Sequence, residues 1–508
     1  MALVRIVTKI IFLFLPVSVS AQPGFNQIKD FAEVGCGLIN GSIRNDTIFL
    51  IGGIRNTGTN WGVALIKADT NGNILGIHPY FDPDGKTIGF GVNYDMKLLP
   101  DGSVVFLGGY FSETSHFLIK YNATGEVTHF KKIHYDDAYS IVTYDFEPYK
   151  DGYMIGGTVV DLVQNKFQPF LTRTDAEGDV LWTKRYPETG KDQNSRCMKV
   201  LDENTIVFGS VLGVFNNPYW LKSRIFALDS LGNPKWEWRT PDSNEGLVSD
   251  IIKMDNGDWL YLNKKFEVYS QDSVLSWSQL VRRDSNFNLI FATRLSPTKW
   301  AWNQTNDLVP SADGHWIVSE TTALVGPDFS WLGSSGWAGC LTKITSEGEI
   351  LWQTCDTIHW NIPGVLSEET ASGHVVLPSG SSILIGVSNR WKPTPARSFG
   401  WMFKVDANGC MMEPCVSDTE TAPDPFEEDW RLYPNPARQT LHVQGPKSQE
   451  DINLCIYNSI GQFVAKYQIE SWEEGKTLDI STFNSGVYII QVTNAKGILF
   501  AEKFVVQH

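Results

Sequence analysis

The sequence lacks the features that mark membrane-spanning and nucleic-acid-binding proteins. After its first residues, no apolar run approaches the roughly 20 residues that are needed to span a bilayer. The 508 residues carry 42 Lys and Arg against 57 Asp and Glu, a formal net charge of −15 that is spread along the chain without a basic patch. Because phosphate backbones are bound by clustered basic side chains, this charge argues against nucleic acid as a partner.

Motifs of catalysis are missing as well. The sequence contains no HExxH, no GxSxG, no phosphate-binding glycine loop and no CxxC pair. We therefore predict no catalytic residue, no metal ligand and no cofactor, and whether the protein is an enzyme stays open. His134 beside Asp136 and Asp137, and His359 beside Asn361, are better explained as parts of solvated loops.

The first residues of the chain have the pattern of an export signal. Arg5 and Lys9 precede or adjoin an apolar run from Ile10 to Leu15, and small residues then surround Ala21. This order is typical of a cleavable secretory signal peptide over residues 1–21. We expect cleavage before Gln22, which leaves a mature chain without a transmembrane segment.

A turn of the form Asp-x-x-Gly recurs seven times in the middle of the chain. It reads KADTNG at 67–72, KYNATG at 120–125, RTDAEG at 173–178, ALDSLG at 227–232, RRDSNF at 282–287, KITSEG at 343–348 and KVDANG at 404–409. Asp at the start of such a turn bonds its own backbone two residues on, and Gly supplies the positive φ that closes a hairpin. Phe287 stands in place of that Gly, and we expect Asn286 or Asn288 to take the positive φ instead.

A second tight turn precedes each of these turns and leads into an apolar strand. Clear copies are PDGSVVFLGG at 100–109, KDGYMIGG at 150–157, DNGDWLYL at 255–262 and ADGHWIVS at 312–319. Each repeat therefore contains four antiparallel strands in about 55 residues. Seven such repeats predict an all-β fold, a seven-bladed β-propeller over residues 22–415. A row of two-sheet sandwiches is the alternative.

Three tryptophans support the propeller. Trp182, Trp236 and Trp352 each follow the last residue of the turn motif by four positions. This spacing resembles the tryptophan-docking repeats of quinoprotein-type and Kelch-type propellers, in which such a Trp packs between blades. The resemblance concerns the blade and not the enzyme.

The ends of the predicted ring suggest how it closes. The last repeat has no outer strand after Gly409, whereas FNQIKDF at 25–31 resembles the outer strands of other repeats. We predict that residues 25–31 complete the seventh blade and so remove two unpaired strand edges.

The seven cysteines permit disulfides in an exported protein, but their odd number leaves at least one thiol unpaired. Cys410 and Cys415 are predicted to form a disulfide at the end of the ring. Cys340 and Cys355 flank one hairpin, but the predicted register places them diagonally, so their pairing stays open. Pairing also stays open for Cys36, Cys197 and Cys455.

All tight turns should fall on one face of the disc, and all long connections on the other, where function usually concentrates. The long connections are predicted at 211–224, 264–278, 320–338 and 388–400. Aromatic side chains in them and between blades are the candidate ligand-binding residues: Tyr219, Trp220, Trp277, Trp300, Trp302, Trp331, Trp337, Trp360 and Trp391. Exposed aromatics stack on sugar rings or form hot spots for protein partners, although they also pack their own loops.

The chain changes character after the repeats. Residues 416–429 are acidic and contain Pro, which predicts a linker, and 430–508 show the alternating strands of a small β-sandwich. The order of its segments resembles the type A C-terminal sorting domain of type IX secretion cargo in Bacteroidetes. The residues that carry this resemblance are Tyr433, Pro434, Asn435, Pro436, Gly461, Gly486, Tyr488, Lys503 and Val506.

The resemblance implies a route and partners. The type IX machinery would carry the folded chain over the outer membrane, and a sortase would then remove the sorting domain. The propeller would be released or linked to surface lipopolysaccharide. We hypothesise an outer-membrane-surface or extracellular binding module that contacts glycan or protein through its aromatic face. The alternatives are a polysaccharide-acting enzyme with a site in the propeller funnel, and a structural adhesin.

Overall fold

In the part of the chain that it describes, the computed structural model contains only β-strands and connections. It describes residues 24–30, 36–55, 60–89, 95–110, 113–135, 138–161, 166–188, 191–214, 217–241, 245–270, 273–296, 303–324, 336–356, 366–392, 397–411, 431–435, 437–445, 451–458, 463–469, 472, 475–494 and 497–507. In these ranges no helix is long and apolar enough to cross a membrane. The chain divides into two compact units, 1–415 and 416–508.

Seven antiparallel sheets make up the first unit, which confirms the predicted seven-bladed β-propeller. The first four blades are numbered in chain order. Their strands are β2 Cys36–Arg44, β3 Thr47–Arg55, β4 Trp61–Asp69 and β5 Ile74–Tyr80; β6 Ile88–Gly89, β7 Met96–Leu98, β8 Val104–Tyr110, β9 Ser115–Tyr121 and β10 Val127–His134; β11 Ala138–Tyr149, β12 Gly152–Asp161, β13 Phe167–Asp175 and β14 Val180–Arg185; and β15 Asp192–Asp202, β16 Thr205–Val214, β17 Asn217–Leu228 and β18 Pro234–Arg239.

The remaining three blades continue the pattern, and the seventh takes its outer strand from the other end of the unit. Their strands are β19 Glu245–Lys253, β20 Trp259–Ser270, β21 Ser273–Arg283 and β22 Leu289–Arg294; β23 Gln304–Pro310, β24 Trp316–Leu324, β25 Gly336–Ile344 and β26 Ile350–Asp356; and β27 Leu366–Val376, β28 Ser382–Lys392, β29 Arg397–Val405 and β1 Phe25–Lys29.

The ring is closed by pairing between its two ends. Strand β1 runs antiparallel to β29, from Phe25 opposite Lys404 to Lys29 opposite Gly400. The innermost strands also contact one another in cyclic order, β2, β7, β11, β15, β19, β23, β27 and again β2. The first and last blades therefore meet, and the innermost strands surround a common axis.

The repeated Asp turns form as local chemistry dictates. The Asp69 carboxylate accepts the backbone N–H groups of Asn71 at 2.9 Å and Asn73 at 2.8 Å. The turn ends at Gly72, whose φ of +79° is one that only Gly adopts without strain. Side-chain oxygen and glycine thus fix a hairpin within six residues, independently of the rest of the fold.

The turn glycine has a second role between blades. The Trp352 indole lies against Gly409 of the next blade, so that a Cβ atom there would approach the ring to 2.6 Å. Its Nε1 donates to the Ala407 carbonyl oxygen at 3.0 Å. Trp182 contacts Gly232 of the following blade in the same way, with 3.0 Å from its ring to such a Cβ. The tryptophans therefore dock outer strands onto neighbouring turns.

Phe287 corrects one expectation, because it takes the positive φ itself, at +64°. Its ring stacks on Trp238, with centroids 5.0 Å apart and planes 9° apart, and on Trp259 at 5.5 Å and 10°. Trp236 adds a tilted contact at 5.6 Å. Aromatic packing between blades 4 and 5 thus offsets a backbone cost of about 1–2 kcal/mol.

The long connections are shorter than expected. Strands β16 and β17 cover most of 211–224, and β20 and β21 cover most of 264–278, so both segments are extended hairpins and not open loops. Pairing continues along them because each side chain faces a cross-strand neighbour, as in Lys265 opposite Trp277. Parts of 320–338 and 388–400 are also strand, and their remaining residues lie outside the described ranges.

The second unit consists of two antiparallel sheets around its own core. Strands β30 Arg431–Tyr433, β31 Thr440–Gln444 and β34 Gly475–Asp479 form one sheet, while β32 Ile452–Asn458, β33 Phe463–Ile469, β35 Gly486–Asn494 and β36 Gly497–Val506 form the other. Alternate residues of these strands are buried against Trp472 and Phe504, as in Leu441 and Val443. This arrangement confirms the predicted small β-sandwich.

Candidate functional site: the axial cavity and the aromatic face

A cavity of about 640 Å³ lies on the axis of the propeller. Its walls come from the innermost strands, where an irregular residue interrupts the pairing at the same place in six blades, for example at Tyr144, Arg196 and Ser249. A β-bulge leaves one residue unpaired and bends the strand. The lining extends to Pro100 and Pro148, next to the tight turns.

The residue after the bulge is an aspartate or asparagine in most blades, and in several of them it joins one blade to the next. Asp145 accepts the backbone N–H of Met198 at 3.3 Å, and Asp250 accepts that of Leu308 at 3.0 Å. Asn40 donates to Asp95 at 3.1 Å. These side chains supply acceptors to neighbouring innermost strands, so they have a structural role as well as lining the cavity.

Two lysines connect these carboxylates. Lys97 lies 2.6 Å from Asp95, 3.6 Å from Asp145 and 3.3 Å from Glu147. Lys199 lies 3.6 Å from Asp145 and 3.5 Å from Asp250. The network forms an arc that spans blades 2 to 5.

The pKa values in this arc reflect both burial and charge. Burial opposes ionisation of Asp145, but Lys199 and Lys97 outweigh it and hold the pKa of its carboxyl below the usual value. Burial raises the pKa of Asp95 well above its usual value, and the Asp145 charge adds to this rise. Burial likewise opposes protonation of Lys97, yet the surrounding carboxylates raise its pKa. Both lysines are therefore cationic and already engaged by protein carboxylates.

On the side of the cavity formed by β23 and β27, fewer of the described polar side chains have partners within the protein. The carboxylate of Asp307 makes no hydrogen bond or ion pair within the described part of the chain, and it faces Gly373, where a Cβ atom would lie 2.7 Å from its Oδ2. Burial, followed by the Asp250 charge, raises the pKa of Asp307 to about 7. Beside it, His374 is only 4% exposed and lines the same cavity.

Reasoning from the sequence missed this cavity, although a signal was present. Asp follows the bulge position in three innermost strands, in the segments YDFEP at 144–148, SDIIK at 249–253 and NDLVP at 306–310, and the segment YDMKL at 94–98 has the same form. Their alignment with the second tight turn of each repeat would have placed four aspartates at one level of the ring. The predicted sites concentrated instead on aromatic residues.

The structure describes the side chains of two of the predicted aromatic residues. Trp277 of β21 and Trp337 of β25 are half-buried and lie in equivalent strands of blades 5 and 6. The Arg294 guanidinium lies over the Trp277 ring, 5.9 Å from its centroid. Asn303 donates to the Ser276 carbonyl oxygen at 3.1 Å and so links the two blades beside Trp277.

The other predicted aromatic residues are not assembled by the described structure. The backbones of Tyr219 and Trp220 belong to β17 and that of Trp391 to β28, while the positions of their side chains lie outside what the structure describes. Four further candidates lie outside the described residues: Trp300, Trp302, Trp331 and Trp360.

A second group of buried titratable side chains lies in blades 5 and 6. Glu320 is 1% exposed and accepts a hydrogen bond from Ser296. Burial raises the pKa of Glu320 to about 7 and lowers that of Lys264 to about 8, the latter also through Arg196.

One disulfide corrects the predicted register. Cys340 and Cys355 lie directly opposite each other on β25 and β26, with Cα atoms 4.0 Å apart, and they are bonded. The diagonal placement expected from the sequence was wrong, because the bulge of this hairpin falls next to the turn, between Lys343 and Ile344. Cys410 is disulfide-bonded, and its predicted partner Cys415 lies outside the described residues.

The C-terminal unit joins sequence-distant parts of the predicted sorting motif. The Asn435 side chain accepts the backbone N–H of Val505 at 2.9 Å, and Gly486 pairs with Val506. The Tyr488 hydroxyl donates to the Asn484 carbonyl oxygen at 2.9 Å.

The remaining motif residues are placed as follows. Tyr433 stacks on His442, with centroids 5.2 Å apart, and its peptide bond to Pro434 is cis. The backbone of Lys503 pairs with Ile489. Pro436 and Gly461 lie outside the described residues.

Comparison with known proteins decides what this unit is. Residues 431–507 match the secretion system C-terminal sorting domain family. The chain is a type IX secretion cargo protein. Because the sorting domain directs export, this cargo protein travels by the type IX machinery to the cell surface or the extracellular space.

A curated relative shares a smaller part of the cargo protein. Beta-agarase A of Zobellia galactanivorans is 34% identical over 92 residues, which make up 18% of this chain and 16% of the agarase. The cargo protein thus spans about a sixth of the length of that relative.

Solved structures resemble the cargo protein in fold only. The β-propeller domain of the trilobed protease from Pyrococcus furiosus is 10% identical, with a TM-score of 0.38, over 72% of this chain and 97% of that domain. Puromycin hydrolase is 11% identical, with a TM-score of 0.44, over 81% of this chain and 58% of the hydrolase.

Proposed function

We propose that the exported propeller is a binding module that contacts an extracellular glycan or protein through the aromatic face formed by Trp277 and Trp337. The observation that carries this proposal is the half-buried state of both rings on adjoining blades. A ring that is fully packed cannot offer a surface, and one that is fully exposed is poorly held. Half-buried aromatic rings combine a fixed position with an open face.

The surroundings of Trp277 support contact with a hydrophilic ligand. Arg294 lies over the ring and brings hydrogen-bond donors to the same place. Sugar rings present apolar C–H faces together with hydroxyl groups, and protein hot spots favour Trp with Arg. Both ligand classes match this combination.

The test is a binding screen of the full chain against a glycan array and extracellular protein fragments. Trp277→Ala and Trp337→Ala are compared with Phe463→Ala, which removes an exposed aromatic ring, 59% exposed, from the C-terminal unit. We expect each tryptophan variant to weaken binding at least tenfold, about the effect of losing one hot-spot contact, and the control to bind as the wild type does. Equal binding by all four proteins would show that the aromatic face is not the site.

We further infer that a sortase removes the sorting domain at residues 416–429 and that the propeller then stays on surface lipopolysaccharide or is released. The division of the chain into units that meet at 415 and 416 supports cleavage there, because neither core would be cut. Mass spectrometry of the mature protein from producing cells tests this. A mature chain that still contains residues 431–507 would contradict it.

A further inference from the structure

We propose that the axial cavity binds a small ligand that carries an ammonium group, held by the carboxylate of Asp307 beside His374. This site differs from the aromatic face, and the proposal does not depend on the function proposed above.

The charge of the cavity favours a cation. Among the described residues, five carboxylates but only three cationic side chains line it. Lys97 and Lys199 are engaged by Asp95, Asp145, Glu147 and Asp250, and the third cation, Arg196, lies over the Tyr144 ring at 5.7 Å. These contacts leave Asp307 without a cationic partner in the described part of the chain.

His374, which follows Gly373 in β27, is a second polar residue in the lining of the cavity. His374 is 4% exposed, and neither of its ring nitrogens makes a hydrogen bond of normal distance and angle in the described structure. Burial lowers the pKa of His374 to about 3, more strongly than the Ile317 backbone favours its protonated form, so the ring is neutral. A neutral imidazole has one acceptor nitrogen, which an ammonium donor can satisfy. Leaving a buried polar group unpaired costs about 1–3 kcal/mol, so such a group indicates a missing partner.

The backbone makes room for this ligand. Gly373 has no side chain at the point where the Asp307 Oδ2 and the Asn40 Oδ1 approach, at 2.7 Å and 3.4 Å from the position of a Cβ atom. Any larger residue there would push against the Asp307 carboxylate. Glycine therefore keeps the carboxylate accessible from the cavity.

The cavity suits an organic cation better than a metal ion. Within the described ranges, no three His, Cys, Asp or Glu side chains are grouped so that they would hold a metal. The volume of about 640 Å³ is also in the range of sites that hold small molecules. Towards the tight turns the lining includes Leu99, Pro100 and Pro148, which can pack against the carbon chain of an alkylammonium ligand.

The same chemistry has two sources, a small amine or the lysine side chain of another protein. Isothermal titration of the full chain with cadaverine and with a lysine-containing hexapeptide distinguishes them. We expect saturable binding of cadaverine with a millimolar or lower Kd at pH 8. Binding of the peptide without binding of cadaverine would retain the ammonium site and assign it to a protein partner. Binding of neither probe would overturn the proposal.

Two variants test the assigned residues. Asp307→Asn keeps the shape and removes the charge, and Gly373→Ala keeps the charge and places a methyl group against the carboxylate. Each should weaken binding at least tenfold, about the effect of one charge-assisted hydrogen bond. Asp255→Asn, an exposed turn residue outside the cavity, is the matched control and should bind normally. Unchanged binding by the Asp307 and Gly373 variants, once circular dichroism shows that they are folded, would refute the site.

A pH series gives an independent readout. The charged groups that act on Asp307 are Asp250, Lys199, Asp145 and Lys97, and burial together with Asp250 raises its pKa to about 7. The ammonium group stays charged over this range, so affinity should be about thirtyfold weaker at pH 5.5 than at pH 8, as Asp307 becomes protonated. Binding of a ligand at the aromatic face does not require an ionised Asp307. The two proposals can therefore fail independently of each other. A pH-independent affinity for cadaverine would contradict the role of Asp307.

Discussion

The positive φ of Phe287 allows the backbone cost and the packing gain to be separated by two substitutions at one position. Phe287→Ala removes the ring and keeps a side chain in the left-handed region, whereas Phe287→Gly removes both the ring and the backbone strain. Six of the seven copies of this turn end in Gly, so the Gly variant restores the residue that the repeat prefers.

The magnitudes follow from the contacts of the ring. Phe287 meets Trp238, Trp259 and Trp236 at centroid distances of 5.0, 5.5 and 5.6 Å. Each aromatic pair contributes about 0.5–1.5 kcal/mol, so losing all three costs about 3 kcal/mol. In the Gly variant, release of the left-handed strain raises the free energy of unfolding by about 1–2 kcal/mol. The greater conformational freedom of Gly in the unfolded chain lowers it by about 0.5–1 kcal/mol.

We therefore expect Phe287→Ala to lower the free energy of unfolding by about 3 kcal/mol and Phe287→Gly by about 2 kcal/mol. Urea unfolding of the full chain, followed by both circular dichroism and tryptophan fluorescence, measures the difference, and coincident transitions would justify a two-state treatment. An Ala variant that is as stable as the Gly variant would show that φ carries no strain here. Wild-type stability in both variants would refute the packing argument itself.

Three further predictions concern other parts of the ring. Gly409→Ala should lower the unfolding free energy by about 2 kcal/mol or more in the same urea assay, because it adds left-handed strain and a contact of 2.6 Å with an indole ring; wild-type stability would contradict the docking role. Replacing Cys340 and Cys355 by Ser should cost about 3 kcal/mol for a separation of 15 residues, and added reductant should destabilise the wild type more than this variant, which keeps only the disulfide of Cys410. Asp307→Asn should raise the urea midpoint more at pH 8 than at pH 5. The pKa of Asp307 in the folded wild type, about 7, exceeds its value in the unfolded chain, so the stability of the wild type falls as the pH rises through that range. An equal effect of the substitution at both pH values would exclude burial of a charged Asp307.

The parts of the fold that were predictable are those that local chemistry determines. Most of these turns carry Asp and Gly with fixed spacing in the sequence, and in the structure Asp69 and Gly72 make the expected contacts. Seven such turns were enough to predict seven blades. Phe287 escaped the same reasoning because Trp236 and Trp238 belong to the preceding blade and Trp259 to another strand of its own blade. No pattern within its own turn shows these partners.

The axial cavity was hidden for a related reason. Asp145 and Asp250 look like isolated acidic residues in apolar strands, and only the ring shows that each meets the next innermost strand. The accessibility of Asp307 depends on Gly373, which is 66 positions away in the sequence. Contacts of this kind follow from closure and bulge position, which sequence periodicity does not contain.

Pairing of β1 with β29 fixes the order in which the propeller can assemble. The Trp401 indole donates to Asn26 at 2.7 Å across 375 residues of sequence. A chain that has delivered only six blades therefore has an N-terminal strand with no partner, and its first and last sheets keep unpaired edges. Since contacts so distant in sequence form slowly, closure of the ring should be the late step of folding. Until that step, the first and last sheets expose their edges, and pairing of β1 with β29 covers both at once.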